Sequence, residues 1–211
     1  MLLKNKRILI TAGPTWVPID SVRVISNTAS GETGILLAED FARMKAKVTL
    51  MLGPVGACCI SKKIKVVNFK FFDELKAKLT REIKSGKYDT IIHSAAVSDY
   101  RPQKFYGDKV RSGLKRWRLS LVPTEKLISR IKRINPSLFL VGFKFEPAAG
   151  KEKLVKEAKA LLIQEKADLI VANTVNKGHY KAYIVSKNKL LTQALSKNEL
   201  NKKLVKIISE A

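Results

Sequence analysis

With 211 residues, of which 45% are hydrophobic, the chain has enough material for one α/β domain with a full core, which excludes wholesale disorder. Its outlying property is charge: 41 Lys and Arg against 18 Asp and Glu leave a formal net charge of +23, which favours anionic partners. Aromatics are sparse between the basic residues, so the lysines read as a broadly spread coat, with nucleic acid an unfavoured partner. The only cysteines, Cys58 and Cys59, are adjacent, which excludes a disulfide framework and any metal-ligand spacing. Met1-Leu2-Leu3 runs straight into Lys4 and no apolar run is long enough to span a bilayer, so the expectation is a soluble, cytoplasmic protein with reduced thiols and no membrane contact.

A first strand is predicted over residues 7–11, ending in Gly13-Pro14. After Pro18 to Arg23 and Ile25-Ser26-Asn27, the small-residue loop Thr28-Ala29-Ser30-Gly31 leads into a helix from about Thr33 to Met44. A strand tip followed by such a loop and a helix N-terminus offers free amides and a favourable dipole to a phosphate or carboxylate. Ser30 and Gly31 would let the anion come close, and Asn27 adds a neutral amide. The G-x-G-x-x-G spacing of a dinucleotide site is not met. The plainer alternative is that Ser30 caps the helix and the glycines make a turn.

Strands are predicted at 48–52, ending in Gly53-Pro54, and at 64–69. A helix opens near Asp73, carries Leu75, Leu79 and Ile83 on one face, and stops at Gly86. A buried strand over 90–96 narrows to small residues, so the tips at Gly13, Gly53 and Ala95 would face one crevice. From about 100 to 122 the pattern breaks into a mobile basic flap with Arg101, Lys104, Lys109, Arg111, Lys115, Arg116 and Arg118, in which 117–121 alternates like an edge strand. A helix over 124–134 with Thr124 as its cap, a strand over 138–143, a helix over 151–166 and a strand over 168–173 follow. Residues 182–185 and 189–192 read as a hairpin turning at Lys187-Asn188, and Ser196 caps a closing helix that buries Leu200, Leu204, Ile207 and Ile208. The predicted class is α/β: a Rossmann-like, mostly parallel sheet flanked by helices, with a basic flap and a C-terminal β-hairpin, in one domain over 1–211.

No Ser-His-Asp, Cys-His or metal-ligand cluster can be assembled, so no protein-held metal is expected. His93, on a buried strand, reads as a core imidazole and His179 as solvated. Lys109 on a mobile loop suits phosphate charge that grows during a reaction, against the plain alternative of one more solvated lysine.

Ile10-Thr11-Ala12-Gly13-Pro14-Thr15, Pro18-Ile19-Asp20, Val22-Arg23 and Ile25-Ser26-Asn27 with Ser30, Gly31 and Gly34 resemble the phosphopantothenate–cysteine ligase family (phosphopantothenoylcysteine synthetases) of coenzyme A biosynthesis. Ala95-Ala96-Val97-Ser98-Asp99-Tyr100, Lys109-Val110-Arg111, Val141-Gly142-Phe143 with Glu146, Asp168-Leu169-Ile170-Val171-Ala172-Asn173 and Leu195 to Leu200 resemble it in the same order, over nearly the whole chain. In many bacteria this domain is fused behind a flavin-dependent decarboxylase, and the chain is similar to the free-standing form, with no flavin of its own.

The resemblance implies a ligase that activates 4′-phosphopantothenate with CTP, or less favourably ATP, in the presence of Mg²⁺, and joins the acyl-nucleotide to cysteine. Carried over by position, Asn27 and Lys109 would be catalytic, with Gly13, Asn27, Ser30 and Gly31 receiving the pantothenate carboxylate. His93, Ser94, Ala95, Asp99, Pro123, Thr124, Glu125 and Lys126 would contact the nucleotide, and Phe143 would flank its base. A homodimer in which the flap or hairpin of one subunit completes the other's site is implied, and so is a separate decarboxylase as partner.

Departures from the family pattern stand at Trp16, Val17, Glu32, Thr33 and His93. The two lysines that members direct at the triphosphate fall on Leu161 and Glu165, with Lys159 and Lys166 as nearby candidates to replace them. The loop after Asn173 is shortened to Thr174-Val175-Asn176-Lys177-Gly178. The competing readings are a non-catalytic paralogue that binds nucleotide or phosphopantothenate, a basic nucleic-acid binder, and, more distantly, a Rossmann dehydrogenase.

Overall fold

The computed structural model describes residues 3–210. Its strands are β1 (Arg7–Ala12), β2 (Trp16–Pro18), β3 (Val24–Ser26), β4 (Lys47–Leu52), β5 (Lys65–Asn68), β6 (Thr90–His93), β7 (Tyr100–Pro102), β8 (Leu121–Pro123), β9 (Phe139–Phe145), β10 (Leu169–Asn176), β11 (His179–Ser186) and β12 (Leu190–Ala194). The helices are α1 (Glu32–Arg43), α2 (Phe72–Lys84), α3 (Leu127–Ile134), α4 (Lys151–Glu165) and α5 (Lys197–Ser209). None of them is long and apolar enough to cross a membrane.

The main sheet has eight strands in the order β12-β11-β10-β9-β6-β1-β4-β5. The run from β10 to β5 is parallel throughout, and β11 and β12 are antiparallel. Parallel strands buried on both faces need continuous apolar runs, which Ile8-Leu9-Ile10 and Ile91-Ile92 supply. Alternate residues divide the core: Ile8, Ile10, Leu50, Ile92 and Val141 pack under α1 and α5, whereas Leu9, Met51, Ile91, Leu140 and Ile170 pack under α2, α3 and α4. The chain runs outward from β1 through β4 to β5, then returns to lay β6, β9 and β10 on the other side. The strand order therefore reverses between β1 and β6, where an open α/β sheet leaves a crevice at its C-terminal rim.

Several local expectations change. The strand expected over 90–96 ends at His93, beyond which 94–98 runs beside 11–15 through Ser94 N–H to Thr11 O (3.1 Å) and Ala96 N–H to Gly13 O (3.0 Å). The edge strand expected over 117–121 reduces to Leu121, which opens β8 and pairs with Pro102 of β7. The helix expected from Thr124 starts at Leu127, because the Thr124 hydroxyl donates to the Ser98 carbonyl (2.6 Å) instead of capping. Ser196 does cap α5, accepting the Glu199 N–H at 3.1 Å, while Glu199 accepts the Leu195 N–H at 2.7 Å. The shortened loop after Asn173 is a continuation of β10 to Asn176 and a two-residue turn. Lys177 and Gly178 both have positive φ (46° and 79°), the geometry that joins twisted antiparallel strands most directly.

Candidate functional site

The crevice is built where the tips of β1 and β4 meet the start of α1. Gly31 occupies the N-cap of α1 with φ 72°, a left-handed conformation that a side chain resists, and no side chain caps the helix. Ser30 thus does not cap α1 as a standard N-cap residue; its Oγ is 3.4 Å from the Glu32 N–H. A Cβ on Gly31 would lie 3.2 Å from the Gly13 nitrogen, which places the two glycines against each other. Gly34, in the first turn, lets α1 sit on the strand: its Cβ would lie 2.5 Å from Ala12 Cβ and 2.9 Å from Ser94 Oγ. Gly13, Gly53 and Gly31 therefore converge, with Ser94 against the first turn of α1, at the free amides of a helix N-terminus; the tips expected to face one crevice were Gly13, Gly53 and Ala95.

Asn27 enters on the end of the β2–β3 hairpin. Its Nδ2 donates to the carbonyls of Ala96 (3.2 Å) and Val97 (3.3 Å), so the exposed amide bridges the loop before α1 to the segment beyond β6. That segment is fixed by a buried pair: Ser98 N–H donates to Thr15 Oγ1 (2.9 Å), and Ser98 Oγ donates to the Thr15 carbonyl (3.1 Å). His93 pairs in register with Thr11, and its Nδ1 lies 2.9 Å from Thr11 Oγ1. Burial lowers its pKa to about 4, so the ring is neutral at neutral pH. Its side chain is a core group, as its strand position suggests, and only the neighbouring Ser94 and Ala95 reach the rim.

The flap is anchored, not loose. The side chain of Asp20 is buried in the turn between β2 and β3, where Oδ1 accepts the N–H groups of Val22 (2.9 Å) and Arg23 (2.7 Å). Its Oδ2 accepts the Val110 N–H (3.1 Å) and pairs with the Arg23 guanidinium (2.9 Å). Burial pushes this carboxyl up, but the three backbone N–H bonds and the Arg23 charge outweigh it and hold it below its ordinary value. Arg23 also donates to the Val110 carbonyl and lies 4.6 Å over the Trp117 ring, against which Tyr106 packs edge-on. Lys109, exposed and next to Val110, is thereby carried on backbone held by the same hairpin that presents Asn27. The sequence reading missed Asp20, Arg23 and Trp117 as parts of the site; the Asp-x-x-Arg spacing in a turn was the available signal.

At the base of the flap, Asp99 forms an ion pair with Lys126, and its carbonyl accepts the Thr124 N–H (2.9 Å) while Pro123 pairs with Tyr100. Asp99, Pro123, Thr124 and Lys126 are thus brought together. The Glu125 carboxylate is committed elsewhere: Lys76 (2.8 Å), Arg130 (3.0 Å) and Arg133 (3.1 Å) surround it. The Lys76 ammonium first and Arg130 after it lower its pKa to about 2, so it ties α2 to α3. Phe143 lies one residue beyond Gly142, the register partner of His93, and is half-buried against the α1 and α5 side. Beyond it Glu146 pairs with Lys144 (2.8 Å) and Lys153 (3.2 Å).

The departures at Leu161 and Glu165 lie elsewhere. Because α4 connects the parallel neighbours β9 and β10, it must run from the crevice rim back to the opposite rim. Leu161 and Glu165 occupy its last turns, half-buried and buried respectively, and Lys166 closes the helix with φ 52°. Neither position, nor Lys159 or Lys166, belongs to this chain's own crevice. Among the described residues no group of three or more His, Cys, Asp or Glu could hold a metal ion.

A family model described as the DNA/pantothenate metabolism flavoprotein C-terminal domain matches residues 3–211. The coenzyme A biosynthesis bifunctional protein CoaBC of Thermococcus kodakarensis is 37% identical over 174 residues, covering 82% of this chain and 42% of that protein. The CoaBC protein of Borreliella burgdorferi is 29% identical and covers 98% of this chain and 53% of its own length, so the chain spans about half the length of these curated relatives. Among solved structures, the DNA/pantothenate metabolism flavoprotein from Streptococcus pneumoniae superposes with a TM-score of 0.87 at 28% identity, over 97% of this chain and 99% of its own.

Proposed function

Because the chain belongs to the family of the DNA/pantothenate metabolism flavoprotein C-terminal domain, we propose that it is a phosphopantothenate–cysteine ligase of coenzyme A biosynthesis. The observation that carries this reading is a single construction. One hairpin presents Asn27 at the switch point of the sheet and, through Asp20 and Arg23, holds the flap that bears Lys109.

In the proposed reaction the carboxylate of 4′-phosphopantothenate attacks the α-phosphorus of a nucleoside triphosphate and expels pyrophosphate. The amine of cysteine then attacks the acyl carbon, the nucleotide leaves, and an amide remains. A carboxylate resists nucleophiles at neutral pH, so the activation is chemically required. Gly13, Ser30, Gly31 and the N-terminus of α1 would receive the carboxylate. Asn27 would contact the acyl-phosphate by exchanging one of its two carbonyl partners for a substrate oxygen. Lys109 would stabilise the phosphate charge that develops in the transition state. Ser94, Ala95, Asp99, Pro123, Thr124 and Lys126 would line the nucleotide side, with Phe143 beside the base.

We favour CTP over ATP as co-substrate. A Mg²⁺ would arrive on the triphosphate, since such ions are commonly held by substrate phosphates and one or two protein carboxylates. Bound there it would offset phosphate charge; no flavin enters this chemistry. The flap exposes Tyr100, Phe105, Leu114 and Leu121, apolar surface that suits packing against a second copy and so supports a homodimer. The paralogue reading rests on the lysines missing at Leu161 and Glu165; the hairpin that presents Asn27 and holds the Lys109 flap weighs against it.

The test is pyrophosphate release with 4′-phosphopantothenate, cysteine and Mg²⁺, comparing CTP with ATP. Sustained release that needs phosphopantothenate, cysteine and one triphosphate, falling to a single equivalent per enzyme when cysteine is left out, supports the ligase and identifies the nucleotide; no release with either triphosphate overturns it.

A further inference from the structure

The rim of the sheet opposite the crevice carries a second concavity. Here β1, β4 and β5 begin side by side, and a cavity of about 400 Å³ opens, walled by Arg7, Lys47, Lys63, Lys65 and Lys87, with Thr49 and Tyr88 also lining it. Arg7 stands directly across from Lys47 in the parallel register, and Lys65 across from Thr49, so the strand alternation puts all four on one face. Like charges placed opposite one another across a sheet repel.

The neighbouring acids, Glu82 and Asp89, offset the group only in part. Buried Glu82 pairs with Lys87 (2.9 Å) and the Tyr88 hydroxyl (2.6 Å), and its charge also attracts Lys65 without forming an ion pair with it. Asp89 accepts the Arg7 backbone N–H (2.7 Å), not its guanidinium. Among the described residues Arg7, Lys47, Lys63 and Lys65 have no ion-pair partner. Tyr88 stays protonated, because burial and then Glu82 push its pKa upward. Its single proton goes to the carboxylate, so the 3.1 Å contact with Thr49 is made with the threonine proton. The cavity thus combines four unpaired cations with an uncharged hydroxyl floor.

We propose that this cavity is a second anion site, which takes a small ligand bearing two or more phosphate groups. A polyphosphate group matches several convergent cations in a concave space of this size. A nucleic-acid strand fits less well, because its bases need exposed aromatic platforms and the only aromatic here, Tyr88, is buried. The six-residue strand β1 separates the site from the crevice by about 20 Å. The inference is independent of the ligase reading.

The experiment is titration of the full chain with inorganic tripolyphosphate, without Mg²⁺, followed by backbone amide chemical shifts. The expected result is saturable movement of the amides of Arg7, Lys47, Thr49 and Lys65, separable from any movement at 27–31. The double variant Lys47→Gln, Lys65→Gln is expected to weaken binding at these amides roughly tenfold or more, the loss of at least one charge-assisted contact. Lys63→Gln, on the exposed approach to β5, should weaken it less and serves if the double variant does not fold. Movement confined to 27–31, or variants that bind like the parent, would overturn the proposal. So would an oligonucleotide that moves the rim amides where tripolyphosphate does not.

Discussion

Asp20 and Val110, 90 residues apart, are joined by one hydrogen bond, the Val110 N–H donating to Asp20 Oδ2 at 3.1 Å. That bond fixes the backbone next to Lys109 to the hairpin that carries Asn27. Asp20→Ala is expected to release the flap while leaving the sheet intact, and to lower turnover roughly tenfold or more through misplacement of Lys109. The carboxyl is held below its ordinary value, so its contribution is present above the unfolded carboxyl pKa and is lost as pH falls through the folded one. Fluorescence of Trp117 in a Trp16→Phe background should therefore change at strongly acidic pH in the parent. In Asp20→Ala it should be altered already at neutral pH. A Trp117 signal identical in the two proteins would separate Asp20 from the flap.

Lys109 is exposed and touches no acidic partner among the described residues, so its removal should leave the fold unchanged. Lys109→Gln is expected to lower kcat by about 10²–10³-fold, the loss of one donor aimed at developing charge. The KM for the nucleotide should move much less, because a flap group that acts mainly in the transition state contributes little to ground-state binding. Steady-state kinetics on pyrophosphate release measure both. An equal loss through KM alone would assign the lysine to binding.

The crevice was legible in the sequence because its parts are local signals. Gly13, Gly53 and Ala95 end apolar runs, and the loop 27–31 precedes a helical period. What escaped was partnership across distance. Thr124 looks like a cap until Ser98 supplies a carbonyl at 2.6 Å, and Glu125, carried over as a nucleotide contact, is enclosed by Lys76 of α2 and Arg130 of α3. Asp20 stands in the sequence only as part of the Pro18-Ile19-Asp20 resemblance, because its decisive partner lies in the flap. The place of Leu161 and Glu165, by contrast, follows from the direction of a helix between two parallel strands.

Gly34→Ala tests the close approach of α1 to β1. The added methyl would meet Ala12 Cβ at 2.5 Å and Ser94 Oγ at 2.9 Å, so the start of the helix must shift. Overpacking of this kind costs about 1–3 kcal/mol, against roughly 1 kcal/mol regained in helix propensity. We expect a modest fall in Tm and a larger fall in activity, since the displaced turn supplies the amides of the crevice. Gly150→Ala is the steric control: it caps the start of α4 with φ −73° and open space around its Cβ, so Tm should fall only by the weaker N-cap preference of Ala and activity should barely change.

His93 should make stability depend on pH in mildly acidic solution. Burial lowers its pKa from 6.5 to about 4 in the folded protein. Below pH 6.5 the unfolded chain therefore takes up a proton that the folded one refuses, and stability falls until the folded ring also protonates near pH 4. The full loss amounts to about 3 kcal/mol for a shift of this size. Urea midpoints measured from pH 7.5 to 4 should fall steeply for the parent and more shallowly for His93→Gln, in which Thr11 keeps a polar neighbour but the titration is gone. His179 is present in both proteins. Parallel curves would show that the imidazole is protonated as easily inside the sheet as outside it.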